Sequence, residues 1–243
     1  MNHEIKPKSL IIAHRGSRLR APENTLKAFD LAIKEKAHGI ELDVWKCASG
    51  EPVVTHNNEL APLTGRDGRV ERSSLTQLKQ LDFGEGEKIP TLDEVLDLVT
   101  GMELLNVEIK GTRLFSNGIE ADVFRALRQR NLLEKTVVSS FNPLILFRLK
   151  RLSPHMRLGL LFHRASALPF RRAWPAYFLK PPFLHPEYPL LTEGLMARAK
   201  RKKQKVIAWT INNIDDLDKC IALGVHAIIT DDPPWALNHL ARR

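Results

Sequence analysis

Apolar residues come in short bursts along this chain, and most bursts are followed by an amphipathic stretch with helical spacing. Residues 9–13, 39–45, 52–56, 104–109, 136–140, 157–162, 206–211 and 227–230 read as strands. Residues 24–37, 74–81, 91–99, 119–129, 143–151, 193–203, 215–222 and 234–241 read as helices. Thr91, with Glu94 three positions on, predicts a capping box. Strands that alternate with helices imply a parallel sheet. Eight of them imply an α/β fold closed as a single (β/α)8 TIM barrel, one domain over residues 1–243. The length agrees, since such barrels typically run to ~250 residues. One connection, 163–191, exceeds the usual loop length and is rich in Pro, aromatics and Arg. Loops of that length are commonly functional or mobile.

Four of the strands end in ionisable residues: His14-Arg15-Gly16, Glu41-Leu42-Asp43, His56, and Glu108-Ile109-Lys110. In a parallel barrel those ends meet on one face, where the loops build the active site. Glu41 and Asp43 are two residues apart, so both side chains point to one side of the strand. Glu108 and Lys110 repeat the arrangement. Three crowded carboxylates raise each other's pKa unless a cation compensates, and oxygen donors select a hard ion. The expected cofactor is one divalent cation, Ca2+ or Mg2+. The alternative is that Glu41 and Asp43 pair with lysines across a polar rim.

His14 and His56 face this cluster. Imidazole titrates near neutrality, so one can accept a proton while the other donates one. His3, His38, His155, His163, His185, His226 and His239 lack such company and read as surface or packing residues. His163 and His185 are less settled, because they lie in or near the long connection. Arg15 and Lys110 supply a planar fork and a point charge suited to phosphate oxygens. Alternatively, each neutralises a metal-binding carboxylate. The set as a whole points to phosphoryl chemistry.

Composition adds less. Cys47 and Cys220 form no CxxC pair, which argues against a thiolate metal site or a disulfide framework and fits a reducing compartment. The first ten residues hold no apolar run of signal-peptide length, so a cytoplasmic protein is expected. The net charge is +9, with basic clusters at 148–151, 164, 171–172, 198–205 and the Arg242-Arg243 end. This reads as a solvated surface that draws in anionic substrates. Contact with an anionic membrane surface is the alternative, and no nucleic-acid-binding motif of the usual kinds is present.

From Leu10 to Pro233 the chain resembles the glycerophosphodiester phosphodiesterase family. The resemblance rests on His14-Arg15-Gly16 with Ala21-Pro22-Glu23-Asn24-Thr25, Glu41-Leu42-Asp43-Val44, His56 and Ile89-Pro90-Thr91-Leu92. It continues through Asn106-Val107-Glu108-Ile109-Lys110, Ser139-Ser140-Phe141, Ala208-Trp209-Thr210-Ile211-Asn212 and Ile229-Thr230-Asp231. Each motif alone is weak; the ordered set is specific. The resemblance implies a barrel hydrolase that cuts glycerophosphodiesters to sn-glycerol 3-phosphate and an alcohol. It implies that Glu41, Asp43 and Glu108 bind Ca2+ or Mg2+, that His14 and His56 act as general acid and base, and that Arg15 and Lys110 hold the phosphate. Asn24 suits a helix N-cap or faces the metal. Phe141 and Trp209, at strand ends, either wall the substrate pocket or pack the rim.

The chain departs from the family pattern at Asn57, where an Asp usually follows the second histidine, and at Ala61-Pro62-Leu63-Thr64, which replaces a frequent Arg-Thr-Thr stretch. Asn57 would orient His56 without charge. A lysophospholipase D acting on lysolipids at a membrane surface is the nearest rival activity, suggested by the basic, aromatic residues 170–183. A non-catalytic binding protein on a retained barrel is the remaining reading.

Overall fold

A computed structural model of the chain describes residues 9–111 and 114–242. His3, Arg243 and most of the amino-terminal segment read for a leader lie outside the described residues. The elements in order are β1 (Leu10–His14), α1 (Leu26–Lys34), β2 (Gly39–Lys46), β3 (Pro52–Val54), α2 (Ala61–Thr64), α3 (Leu75–Gln80) and α4 (Leu92–Leu98). Then come β4 (Leu104–Ile109), α5 (Ile119–Gln129), β5 (Thr136–Ser140), α6 (Pro143–Leu152), β6 (Leu158–Phe162), α7 (Leu168–Arg171), α8 (Pro175–Leu179) and β7 (Phe183–Pro186). The chain continues through α9 (Glu193–Arg201), β8 (Lys205–Ala208), α10 (Ile214–Leu223), β9 (Ala227–Thr230) and α11 (Pro233–Ala241).

Eight strands form a closed parallel barrel in the order β1, β2, β4, β5, β6, β7, β8, β9 and back to β1. The expected TIM barrel is present, but two of its staves differ from the sequence reading. Residues 52–56 are not a stave. β3 folds back antiparallel on the end of β2, pairing Val44 with Val54 and Lys46 with Pro52. The reason is chain length: a parallel crossover takes a dozen or more residues, and the few between these strands allow only a hairpin. The missing stave is β7, inside the 163–191 connection, paired with β6 and β8. It is four residues long and bracketed by prolines, so its strand signal is masked.

Side chains alternate through the wall. Ile11, Ala13, Ile40, Leu42, Val107 and Val138 pack outward under the helices. Ile12, Leu104, Val137, Phe183, Ile207, Ala227 and Ile229 fill the interior. The Thr91 capping box is formed, with Thr91 Oγ1 accepting from Glu94 N and Glu94 Oε2 accepting from Thr91 N. The N-cap of α1 is Thr25, whose hydroxyl accepts from Ala28 N. Asn24, expected there, instead adopts a left-handed backbone at φ 59° and sends its side chain to Asp43.

His185 also points into the barrel and is fully buried. Gly159 on the adjacent strand makes room, since a Cβ there would lie 2.5 Å from the imidazole Nε2. Neither ring nitrogen has a partner among the described residues. Burial pulls its pKa down to about 3, so the ring is held neutral. The unfolded chain takes up this proton near 6.5, and the barrel only near 3. Stability therefore falls as pH drops below that upper value, by ~1.4 kcal/mol per pH unit for this group. Melting temperatures of wild type and His185→Leu, followed from neutral to acidic pH, should diverge below the upper value. The variant is expected to have the shallower decline.

Candidate active site

β2 and β4, neighbours in the barrel, bring Glu41, Asp43 and Glu108 together, with one carboxylate oxygen from each within 4.8 Å of the others. The strand register explains this, because Asp43 pairs with Glu108 and Glu41 with His14. All three carboxylates are nearly inaccessible, at 3%, 1% and 6% exposure. Lys110 Nζ lies 2.8 Å from Asp43 Oδ1 and 2.5 Å from Glu108 Oε1. Arg15 Nε lies 3.3 Å from Asp43 Oδ2, and its Nη1 donates to Glu23 Oε1 at 2.9 Å. Asn24 Nδ2 donates to Asp43 Oδ2 at 2.9 Å. Asn24 is thus not the N-cap of α1, and its side chain lies against one of the carboxylates expected to hold the metal.

The charges do not balance evenly. Burial pushes Glu41 well above the usual carboxylate range, and the neighbouring Asp43 and Glu108 add to this. Burial likewise raises Glu108. Burial would raise Asp43 too, but Lys110 and Arg15 outweigh it and hold this carboxylate ionised. Burial would also lower Lys110, yet Asp43 and Glu108 keep it charged. Three converging carboxylates, one held against ionisation, form a hard-oxygen donor set short of positive charge. A divalent cation fits it.

The two histidines line the same pocket as Glu41 and Glu108. His14 Nδ1 is 2.6 Å from Asp231 Oδ1, while Asp231 Oδ2 accepts from Asn212 Nδ2 at 2.7 Å. His56 lies two residues beyond β3 rather than on a stave, and its Nδ1 is 2.8 Å from Asn57 Oδ1. The hairpin brings it to the same pocket. In each ring Nδ1 is occupied by an oxygen, which assigns the proton there and leaves Nε2 as the reactive atom. Burial lowers the pKa of both imidazoles below the ordinary value. Asp231 is held low against burial by its bond to His14.

One pocket is lined by His14, Arg15, Glu41, His56, Glu108, Lys110, Phe141 and Trp209 together with Asn106, Leu161 and Ile229. Phe141 and Trp209 meet edge to face at 5.7 Å, and Trp209 Nε1 donates to the His185 carbonyl. They line the pocket as well as packing on each other. Among the less settled histidines, His163 packs against Phe141 at 5.3 Å, and His185 lies in the barrel interior. Asp231 and Asn106 were missed as members of the site. Period-two spacing from Glu108 would have found Asn106. Asp231 ends the last apolar strand, which barrel closure sets beside the first.

Residues 14–234 match the model of the glycerophosphoryl diester phosphodiesterase family. A glycerophosphodiester phosphodiesterase of Caldanaerobacter subterraneus subsp. tengcongensis is 37% identical over 95% of this chain and 97% of its own length. One from Bacillus altitudinis is 30% identical over 93% and 96%. The solved structure of a phosphodiesterase from Oleispira antarctica, in complex with the product sn-glycerol-3-phosphate, matches with a TM-score of 0.83 at 30% identity, covering 96% of each chain.

Glu41 offers a test of the metal reading that does not depend on turnover. A carboxyl whose pKa is raised by folding costs stability once pH exceeds its unfolded value. At mildly alkaline pH, Glu41→Gln should melt higher than the metal-free wild type by roughly a few degrees. It should also lose the rise in melting temperature that Ca2+ or Mg2+ gives the wild type. An undiminished ion-induced rise in the variant would remove Glu41 from the ligand set.

Proposed function

The chain belongs to the glycerophosphoryl diester phosphodiesterase family, and we propose that it hydrolyses glycerophosphodiesters to sn-glycerol 3-phosphate and an alcohol. The observation that carries this reading is the convergence of two Nδ1-anchored imidazoles and three buried carboxylates on one pocket. Glu41, Asp43 and Glu108 would hold one divalent cation, Ca2+ or Mg2+, which when bound neutralises charge on the phosphate and acidifies a coordinated hydroxyl. Arg15 and Lys110, now spread over carboxylates, would turn part of their charge to the phosphate oxygens.

The chemistry runs in two displacements. One imidazole Nε2 takes the proton from a glycerol hydroxyl as its oxygen attacks phosphorus. The bond from phosphorus to the departing alcohol breaks, and the other imidazole protonates that alcohol. The product is a cyclic phosphate. Water then attacks phosphorus with the two histidines exchanging roles, and the ring opens to glycerol 3-phosphate. Asp231 and Asn57 hold the imidazoles in the tautomer this requires, Asp231 with charge and Asn57 without it.

The apolar wall of Phe141, Leu161, Trp209 and Ile229 supports a second reading, in which a lysolipid occupies the same site and the enzyme acts as a lysophospholipase D. Both substrates place the enzyme in glycerol and lipid metabolism. A cytoplasmic setting is supported by Cys47 and Cys220, both buried and unpaired. Among the described residues no helix is long and apolar enough to cross a membrane.

Release of glycerol 3-phosphate from glycerophosphocholine, measured with added Ca2+ or Mg2+, is the direct assay. His14→Ala and His56→Ala should each lower kcat by ~10²–10⁴-fold. The pH–rate curve should be bell-shaped, losing the base as pH falls and the acid as pH rises. A flat profile over roughly pH 5–9 would exclude the histidine pair. Asp231→Ala should reduce kcat by about 10²-fold with a smaller change in KM, because it misorients a proton carrier rather than a substrate contact. Equal loss in both parameters would point to a binding role instead.

A further inference from the structure

The charge of this protein is unevenly placed. Between Lys135 and Pro186 there are nine Lys and Arg and no Asp or Glu. That segment therefore contains the whole excess of +9, and the rest of the chain carries 28 residues of each sign. The exposed apolar side chains gather in nearly the same stretch. Of the twelve large exposed hydrophobics among the described residues, ten fall between Leu114 and Phe178. Phe178 is 88% exposed and Phe147 50%.

These residues occupy the connections after β4, β5 and β6, three consecutive staves of the ring. They form one side of the molecule, because α6 packs against α8 and Lys150 Nζ donates to the Leu179 carbonyl at 2.7 Å. Arg151, Arg171, Arg172 and Lys180 form no ion pair among the described residues. From α9, Lys202 adds its ammonium over the Tyr177 ring at 3.7 Å. The side adjoins the pocket, since Phe141 lies two residues before α6 and its ring meets His163 just beyond β6.

We propose that this side docks on an anionic lipid bilayer, with Phe147, Trp174 and Phe178 entering the headgroup boundary and Arg151, Arg171 and Arg172 meeting lipid phosphates. Aromatic and aliphatic side chains interleaved with unpaired guanidinium groups match such a surface in both polarity and sign. A second copy of the chain fits poorly, because a two-fold contact would set this acid-free segment against itself. Nucleic acid fits poorly as well: Leu144, Leu152 and Leu168 are exposed here and offer no ring for a base to stack on. Docking does not depend on which diester the site cuts, but it would hold the pocket mouth near lipid-derived substrates.

Flotation of the full chain with vesicles tests this. Mixed phosphatidylcholine–phosphatidylglycerol vesicles should carry the protein upward at low salt, and pure phosphatidylcholine vesicles should not. Added salt should release it. Binding should shift tryptophan emission to the blue, and Trp174→Phe should remove most of that shift. The double variant Arg171→Glu/Arg172→Glu should bind about tenfold or more weakly. Phe178→Ser should also weaken binding. Both variants should keep the wild-type melting temperature and the wild-type turnover of soluble glycerophosphocholine. Failure to bind, equal binding to both vesicle types, or undiminished binding by the charge-reversed variant would overturn the proposal. So would a dimer that buries Trp174, or tighter capture of a nucleic acid homopolymer than of anionic vesicles.

Discussion

Three carboxylates buried at the ends of two neighbouring strands cannot all be ionised without positive charge beside them, and much of this protein is arranged around that constraint. Lys110 shares the inward face of β4 with Glu108 and reaches across to Asp43. Arg15 reaches Asp43 from the turn after β1, where its backbone is left-handed at φ 58° and its N–H donates to the Glu41 carboxylate. Backbone conformations of this kind cost energy and persist where surrounding contacts hold them. Two side-chain cations still leave Glu41 held against ionisation, and the three carboxylates together form a group that could take a metal ion.

The histidines answer to a different requirement. Each has Nδ1 occupied by an oxygen, and under the proposed function Nε2 is the nitrogen turned to the phosphate. Asp231 does this for His14 and is itself fixed by Asn212 and by Arg18. Asn57 does it for His56 with a neutral oxygen. The two imidazoles therefore sit in unequal fields although both are half-buried. That inequality is what the proposed acid–base pair would use, since one imidazole gives a proton while the other takes one. His185, in the barrel interior, shows the contrasting case: an imidazole with neither nitrogen partnered among the described residues, kept neutral by burial.

Charge is segregated on two scales. At the pocket, opposite signs interlock within a few ångströms. Across the molecule, one run of chain holds the entire positive excess and, among the described residues, most of the large exposed hydrophobic side chains, while the charge of the remainder is balanced. The barrel turns that run of sequence into one side of the molecule, because consecutive parallel staves are neighbours in space. The pocket mouth lies at the edge of that side, through Phe141 and His163.

The grouping of the candidate site's carboxylates and Lys110 was legible in the amino-acid sequence because these residues obey strand parity. Glu41 with Asp43, and Glu108 with Lys110, are two apart on apolar strands, and parity alone puts each pair on one face. Helix 119–129 was equally plain from its periodicity. Other features needed the folded chain. The stave Phe183–Pro186 is too short and too rich in Pro to declare itself, and the apolar run at 52–54 looks like a stave although its short hairpin forbids one. Asn24 has the composition of a cap but the backbone of a turn. Asp231 lies 217 residues from His14, and only closure of the ring sets it against that imidazole. Local spacing thus determined which side chains share a face. The tertiary structure decided which faces meet, because barrel closure joins strands that no local pattern links.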